Sequence, residues 1–358
     1  MDYHSHLFFA NMPYGVTPAS HAIYHLHMLS FFICLGIVLT VSIIFSFFLI
    51  RYRKSFHPRA MTVHSNLLIE IAWIAVPVIL LVIMGAPATL FLLHYNRPSN
   101  NELNIEVTGY QWKWKYEYLD YHFGFFSNLS TPLAQILGNA PKDRWYLLET
   151  DQPLIVPVHT KLRFLVTSND VVHSWWVPVF GIKRDAIPGF IYESTAIVDQ
   201  PGIYRGQCAE LCGVHHGFMP IVIEAKTQAD FAAWVAQKQS ENLITAAPAK
   251  KDFKALMSEG ESVYQSQCAV CHQLNGQGMP PTFPALQGGK MAIGPVERHI
   301  DIVVHGKPFT AMPAFGNQLS AEQIAAVITY ERNSWGNNNQ IKYGPQAGGT
   351  VTPDDIEH

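Results

Sequence analysis

Cys208 and Cys212 stand in the segment Cys208-Ala-Glu210-Leu-Cys212-Gly-Val-His215-His216-Gly-Phe-Met219. Two thiolates separated by three residues, an imidazole four beyond the second and a thioether three further on form a soft-ligand loop suited to copper. A single copper needs one thiolate, whereas two can bridge a pair of ions. Symmetry then asks for a second imidazole, and His173, in Val172-His-Ser-Trp-Trp176, is the upstream candidate on a different strand. Of the adjacent histidines, spacing favours His216, with His215 an exposed neighbour. The competing arrangement is a Cys208–Cys212 disulfide in an oxidising compartment, which leaves His216 and Met219 without a role. A copper pair delocalises one electron over two metals, which suits transfer rather than bond-making.

Cys268, Cys271 and His272 form CxxCH. This is the attachment pattern of c-type haem, in which two thiols add to the vinyl groups and the next residue supplies the proximal imidazole. A redox disulfide or half a zinc site would also use CxxC, but no second CxxC follows and neither gives the histidine a task. The sixth ligand must reach the opposite haem face. Met279 is too closely tethered to His272, whereas Met312, in Thr310-Ala-Met-Pro-Ala-Phe-Gly316, is well placed. Its thioether would raise the potential relative to two imidazoles, the alternative being a core-filling methionine. The fifth cysteine, Cys34, reads as a small apolar residue.

These motifs need elements to hold them. The chain has 358 residues, 49% hydrophobic and 14% charged, with the apolar residues concentrated before position 96. Met28 to Ile50 carries no charge, and Leu67 to Leu93 carries only Glu70. Each run is long enough, as a helix, to cross a hydrocarbon core of ~30 Å. Arg51, Arg53, Lys54 and Arg59 between them predict a cytoplasmic connection, with both termini on the other side. The first 20 residues lack the basic start and apolar middle of a cleavable leader. A net charge of -3 offers no footprint for nucleic acid.

The predicted organisation is an external arm over 1–22, a helical hairpin over 23–95, an all-β domain over 100–227, a linker over 228–251 with a helical stretch near 228–241, a helical domain over 252–336, and a mobile polar tail over 337–358. Leu103 to Val107, Trp112 to Tyr118, Lys161 to Thr167, Ser194 to Val198 and Pro220 to Ile223 read as strands separated by turn residues, which suggests a sandwich or barrel. Ser320 with Gln323 predicts a capped helix carrying Ile324, Val327 and Ile328.

Taken together, the residues resemble subunit II of cytochrome c oxidase, of the bacterial kind with a cytochrome c domain fused at the C-terminus. The copper loop matches the family pattern CxExCGxxHxxM through Cys208, Glu210, Cys212, Gly213, His216 and Met219, and His173 matches the histidine of its HSW segment. The resemblance implies a multidomain membrane protein: a two-helix hairpin, a cupredoxin-like domain holding dinuclear copper, and an all-α class I cytochrome c domain with one covalent haem c. Glu210 would contribute its backbone carbonyl, its carboxylate facing a magnesium or manganese ion beside subunit I. Trp112, in Gly109-Tyr-Gln-Trp-Lys-Trp114, would lie at the electron-accepting face; Trp114 is either strand core or part of that segment. Asp185-Ala-Ile-Pro-Gly189 is similar to a segment near subunit I, although Phe190 replaces the arginine often found next. Glu70, followed by Trp73, matches a glutamate at the mouth of a proton channel; a carboxylate there could also simply snorkel to water. The implied partners are subunit I, subunit III and an external cytochrome c or similar donor. The implied location is the bacterial inner membrane, with both metal domains on its outer face. The implied activity is relay of electrons for oxygen reduction coupled to proton translocation, which the chain alone should not perform.

Overall fold

The computed structural model describes residues 11–58, 65–95, 102–244, 251–307, 310–316 and 318–356. The chain forms two compact units, Met1–Gln239 and Ser240–His358.

In the first unit, α1 (Pro18–Arg51) starts earlier than the apolar run because Thr17 caps it. The Thr17 hydroxyl accepts the Ser20 N–H at 3.0 Å, and Pro18 occupies the first turn, where no amide is needed. Thr17 also donates to the Phe180 carbonyl at 2.9 Å, which ties the head of the helix to the β domain. α2 (Leu67–Tyr95) contains Pro77 and Pro87 and has Glu70 in its first turn. The most apolar stretches of both helices are entirely unburied within the chain. Phe45, for example, is 62% exposed and Leu68 79%. Surfaces of that extent need lipid or partner helices to cover them. Residues 59–64, with Arg59, lie outside the described residues.

The β domain comprises β1 (Glu102–Tyr110), β2 (Lys113–Tyr118), β3 (Phe123–Ser127), the short α3 (Leu133–Ile136), β4 (Leu154–Pro157), β5 (Lys161–Ser168), β6 (His173–Val177), β7 (Ile182–Ala186), β8 (Tyr192–Ile197), β9 (Gly202–Cys208) and β10 (Pro220–Lys226). They build two five-stranded sheets, ordered β3-β2-β1-β5-β8 and β4-β10-β9-β6-β7. Alternation sets the faces: on β5, Leu162, Phe164 and Val166 are buried, while Lys161 pairs outward with Glu102 and Arg163 with Glu193. Trp114, Tyr116, Tyr118, Phe164 and Trp175 fill the core without exposure. The buried Tyr118 hydroxyl donates to the Ile155 carbonyl at 2.6 Å and accepts the Ile155 N–H at 3.0 Å, so its polarity is satisfied. α4 (Gln228–Ile244) buries Phe231 and Val235 in this core and sets the Trp234 ring at a tilt against Tyr118. Its first turns therefore pack as part of the β unit, where a linker was expected; 245–250 lie outside the described residues.

The second unit is helical: α5 (Phe253–Val263), a π-helical turn at Tyr264–Cys268, α6 (Ala269–His272), α7 (Lys290–Ile293), α8 (Val296–His305), α9 (Ala321–Asn333) and α10 (Gln340–Tyr343). Ser320 and Gln323 cap α9 reciprocally, as the sequence predicted. α5 crosses α9 at Gly260, where a Cβ would sit 2.1 Å from the Ala326 carbonyl oxygen; only glycine permits that approach. The expected mobile tail is instead packed. Ala347 and Val351 are buried, and the buried Arg332 guanidinium donates to the carbonyls of Gly294, Gln346 and Gly348. A polar, glycine-rich composition concealed this, because the tail's contribution is its backbone carbonyls.

Candidate metal centres

β6 pairs with β9 so that Trp175 lies opposite Cys208, which brings His173 beside the end of β9. β9 and β10 are joined by residues 209–219, and the Cys208 N–H donates to the Met219 carbonyl at the neck of that loop. The result is a convergent donor set. Cys208 Sγ lies 3.9 Å from His173 Nδ1 and 3.9 Å from Cys212 Sγ. Cys212 Sγ is 3.4 Å from His216 Nδ1 and 3.6 Å from Met219 Sδ, and the Glu210 carbonyl oxygen is 3.3 Å from Cys208 Sγ. His173, Cys208, Cys212 and Met219 are all buried, and both cysteines are free thiols. The nearest donor atoms of His173, Cys208 and Cys212 lie within 4.8 Å of one another, a grouping able to hold a metal ion.

The electrostatics of this set favour a cation. Contact with the Cys212 thiol and with His173 pulls Cys208 down to about 4 against the desolvation penalty of burial. The same contact with Cys208, reinforced by burial, drives Cys212 above the ordinary thiol range. The pair thus gives up one proton readily and holds the other, because two thiolates at this separation repel in a low-dielectric site. Metal bound between them would remove that penalty. Burial lowers the basicity of His173, but the Asp170 carboxylate, at 2.8 Å from Nε2, and Cys208 outweigh it and raise the imidazole. Nε2–H donating to Asp170 leaves Nδ1 facing the sulfurs.

Trp112 and Gln111 form the connection between β1 and β2, and both reach the same loop. Trp112 Nε1 donates to the Cys212 carbonyl at 3.1 Å and Gln111 Nε2 to the same oxygen at 2.8 Å. Gly213, at φ +117°, makes room for them: a Cβ there would be 3.0 Å from the Trp112 ring. Trp114 is core, with its indole beside His173. His215, expected as exposed, is half-buried with its ring edge-on to Trp112 and Phe218, and burial lowers its pKa. Asp185 is exposed, and on β7 it lies opposite Ser174, beside His173.

In the second unit, His272 ends α6, and its Nδ1–H donates to the Pro284 carbonyl at 2.8 Å. That bond fixes the tautomer and leaves Nε2 available to an iron. Cys268 and Cys271 are half-buried free thiols, and burial pushes Cys271 up to about 11. Met312 and Cys268 both pack against the apolar cluster that contains Val303, Phe315 and Ile328. Met279 is 42% exposed, and its backbone pairs with Phe283 on the loop that supports His272.

Comparison with known proteins finds relatives of each part of the chain. Residues 103–226 match the family described as cytochrome c oxidase subunit II, periplasmic domain, and residues 5–90 match its transmembrane domain. Residues 255–330 match cytochrome c oxidase, cbb3-type, subunit III. A probable cytochrome c oxidase subunit 2 from Rickettsia prowazekii is 40% identical over 223 residues, covering 62% of this chain and 70% of that protein. The chain belongs to the cytochrome c oxidase subunit II family. Subunit 2 of Cyanidium caldarium is 37% identical over 228 residues, covering 62% of this chain and 88% of the relative. The solved periplasmic domain of subunit II from Bradyrhizobium japonicum is 37% identical and covers 40% of this chain and 97% of that one, with a TM-score of 0.36.

The architecture is therefore that of a subunit II with two apolar N-terminal helices, a cupredoxin-like β domain and a C-terminal cytochrome c domain. It takes part in electron transfer as a component of a respiratory haem-copper oxidase, and copper and haem c binding follow from the families it matches. The structure brings the sequence-predicted copper-loop residues together and adds two supporting residues that the sequence did not suggest, Asp170 against His173 and Gln111 against the Cys212 carbonyl. Only the spacing of Asp170 three residues before His173 could have drawn attention to it. Glu70 lies in the first turn of α2, outside the β domain that carries the copper loop.

Proposed function

We propose that this subunit II relays electrons from an external cytochrome c or similar donor, through a covalent haem c, to a dinuclear copper centre and on to the haems of subunit I, where oxygen is reduced to water with proton translocation. The observation that carries the proposal is the convergence of two free thiols, two imidazoles, a thioether and a carbonyl where the loop between β9 and β10 meets the start of β6. Two thiolates can bridge two ions, and one imidazole is available to each end, His173 beside Cys208 and His216 beside Cys212. When bound there, copper supplies a one-electron couple shared between two metals, and the haem supplies a second such couple.

The residues act by holding geometry. Cys208, Cys212, His173, His216 and Met219 would hold the copper through their side chains, and Glu210 through its carbonyl. The exposed Glu210 side chain is free to meet a magnesium or manganese ion at a contact with subunit I. Trp112 covers the Cys212 end and offers its ring as the face that accepts electrons. Cys268 and Cys271 would hold the haem covalently, and His272 and Met312 would supply the protein ligands to its iron. Glu70, in the first turn of a lipid-facing helix, receives protons from the cytoplasmic side for a channel shared with subunit I. The partners are subunit I and subunit III, the membrane is the bacterial inner membrane, and both metal domains lie on its outer face.

The test is the Cys212→Ser variant of the assembled oxidase. The haem c should still be reduced by donor but should no longer be reoxidised by oxygen. Reoxidation at the wild-type rate would contradict the relay.

A further inference from the structure

The Asp170 carboxylate sits at a junction between the copper loop and the Trp112 turn. Its Oδ1 accepts from His173 Nε2 at 2.8 Å, and its Oδ2 accepts the Gln111 backbone N–H at 2.7 Å. Gln111 in turn donates through Nε2 to the Cys212 carbonyl, the oxygen that Trp112 Nε1 also uses. Asp170 is itself held: Oδ1 also accepts the Val171 N–H at 2.6 Å, and the Ser168 hydroxyl takes the Asp170 N–H at 3.3 Å. The His173 ring has no freedom to follow a displaced partner. It is fully buried, and a Cβ on Gly109 would come within 2.7 Å of its Cδ2, so backbone lies directly against it.

We infer that Asp170 is a positioning residue that fixes the His173 imidazole and the Gln111–Trp112 turn with one carboxylate, coupling the ligand at one end of the copper site to the aromatic cover at the other. The inference rests on the copper reading of the loop. Its chemical basis is that both partners are donors. A carboxylate is acceptor-only and can serve the two at once through separate oxygens. An asparagine has one accepting oxygen and must turn its amide N–H₂ toward one of the two donors, so an isosteric change breaks one of the bonds. The carboxylate also places a negative charge against the outer nitrogen of a ligand imidazole, which increases its donor strength toward a cation.

The test compares Asp170→Asn and Asp170→Glu with wild type in the full chain purified in detergent. In the copper-free protein, amide hydrogen exchange in the peptide containing Gln111 should accelerate at least tenfold in Asp170→Asn. In the copper-loaded protein the same variant should raise the midpoint potential of the copper centre, since removal of a nearby negative charge disfavours the oxidised form. Asp170→Glu, which keeps two accepting oxygens, should restore part of both effects. A double-mutant cycle with Trp112→Phe should show non-additive losses in the rate of electron acceptance, because both changes act on one turn. Unchanged exchange and unchanged potential in Asp170→Asn would overturn the inference. Failure of wild-type protein to show a two-copper spectrum would instead remove the copper reading, and the exchange result would still decide whether Asp170 holds the turn.

Discussion

Gly260→Ala places one methyl group where α5 and α9 come closest. The new Cβ would meet the Ala326 carbonyl oxygen at 2.1 Å and Tyr330 Cβ at 2.7 Å, whereas ordinary contact begins at 3.4 Å. The atom in the way is backbone in the interior of a capped helix, so no side chain can swing aside and the helices must part by about 1 Å. Overpacking of that kind costs about 1–3 kcal/mol. Replacing glycine by alanine in a helix returns about 1 kcal/mol of propensity, and Gly260 is in ordinary helical backbone, so this gain is realised. Because the obstruction is backbone at 2.1 Å, the upper end of the overpacking range applies, and the net loss is about 2 kcal/mol, which for a domain of this size lowers Tm by roughly 8–16 °C. α5 runs directly into the turn that ends at Cys268, so the loss should appear at the haem. Circular dichroism of the haem band during heating of the full chain measures it, with the copper-domain signal as an internal reference. An unchanged or higher Tm would show that the crossing is not tightly packed, and the reasoning from the close approach would fail.

Met312→Ala should leave the haem covalently attached while lowering its midpoint potential, seen by redox titration; an unchanged potential would assign the sixth ligand elsewhere. Arg332→Met removes the donor shared by Gly294, Gln346 and Gly348 and leaves buried carbonyls unsatisfied. It should cost about 2–4 kcal/mol and open residues 344–351 to protease, with resistance at the wild-type level as the contrary result. In haem-loaded, copper-free protein, thiolate absorbance of the Cys208–Cys212 pair should show two separated steps. As pH rises, the first proton leaves well below the ordinary thiol range, because the thiolate is stabilised by its neighbour, and the second only above it. A half-amplitude plateau across neutral pH follows, and a single step near the usual thiol value would refute the coupling.

The sequence was most legible where chemistry requires a fixed spacing. Cys208, Cys212, His216 and Met219 lie on one loop, so their register alone predicted their convergence, and Ser320 with Gln323 announced a helix start through side-chain chemistry. His173 was found because a symmetric ligand set demanded it. Legibility fell where backbone does the work. β6 has no clean alternation, since His173 and Ser174 are both buried within it. The tail beyond 337 looked loose because its stabilising groups are carbonyls aimed at Arg332. α4 was read as part of a linker, although Phe231, Trp234 and Val235 already formed an apolar stripe suited to burial. Nothing in the sequence beyond its spacing from His173 marks Asp170, because a lone carboxylate in a turn ordinarily caps its own backbone, as Asp170 does with Val171. Its second task becomes visible only once β1 pairs with β5, which sets Gly109 opposite Ser168 and so brings Gln111 beside Asp170.

The central claim is that one chain carries both a copper pair and a covalent haem. The most direct measurement is electron paramagnetic resonance of the copper-loaded full chain in detergent, followed by acid-acetone extraction of the same sample. The expected result is hyperfine structure from two equivalent coppers and a haem that stays with the protein. The spectrum of a lone copper, or a haem that extracts into the solvent, would contradict it.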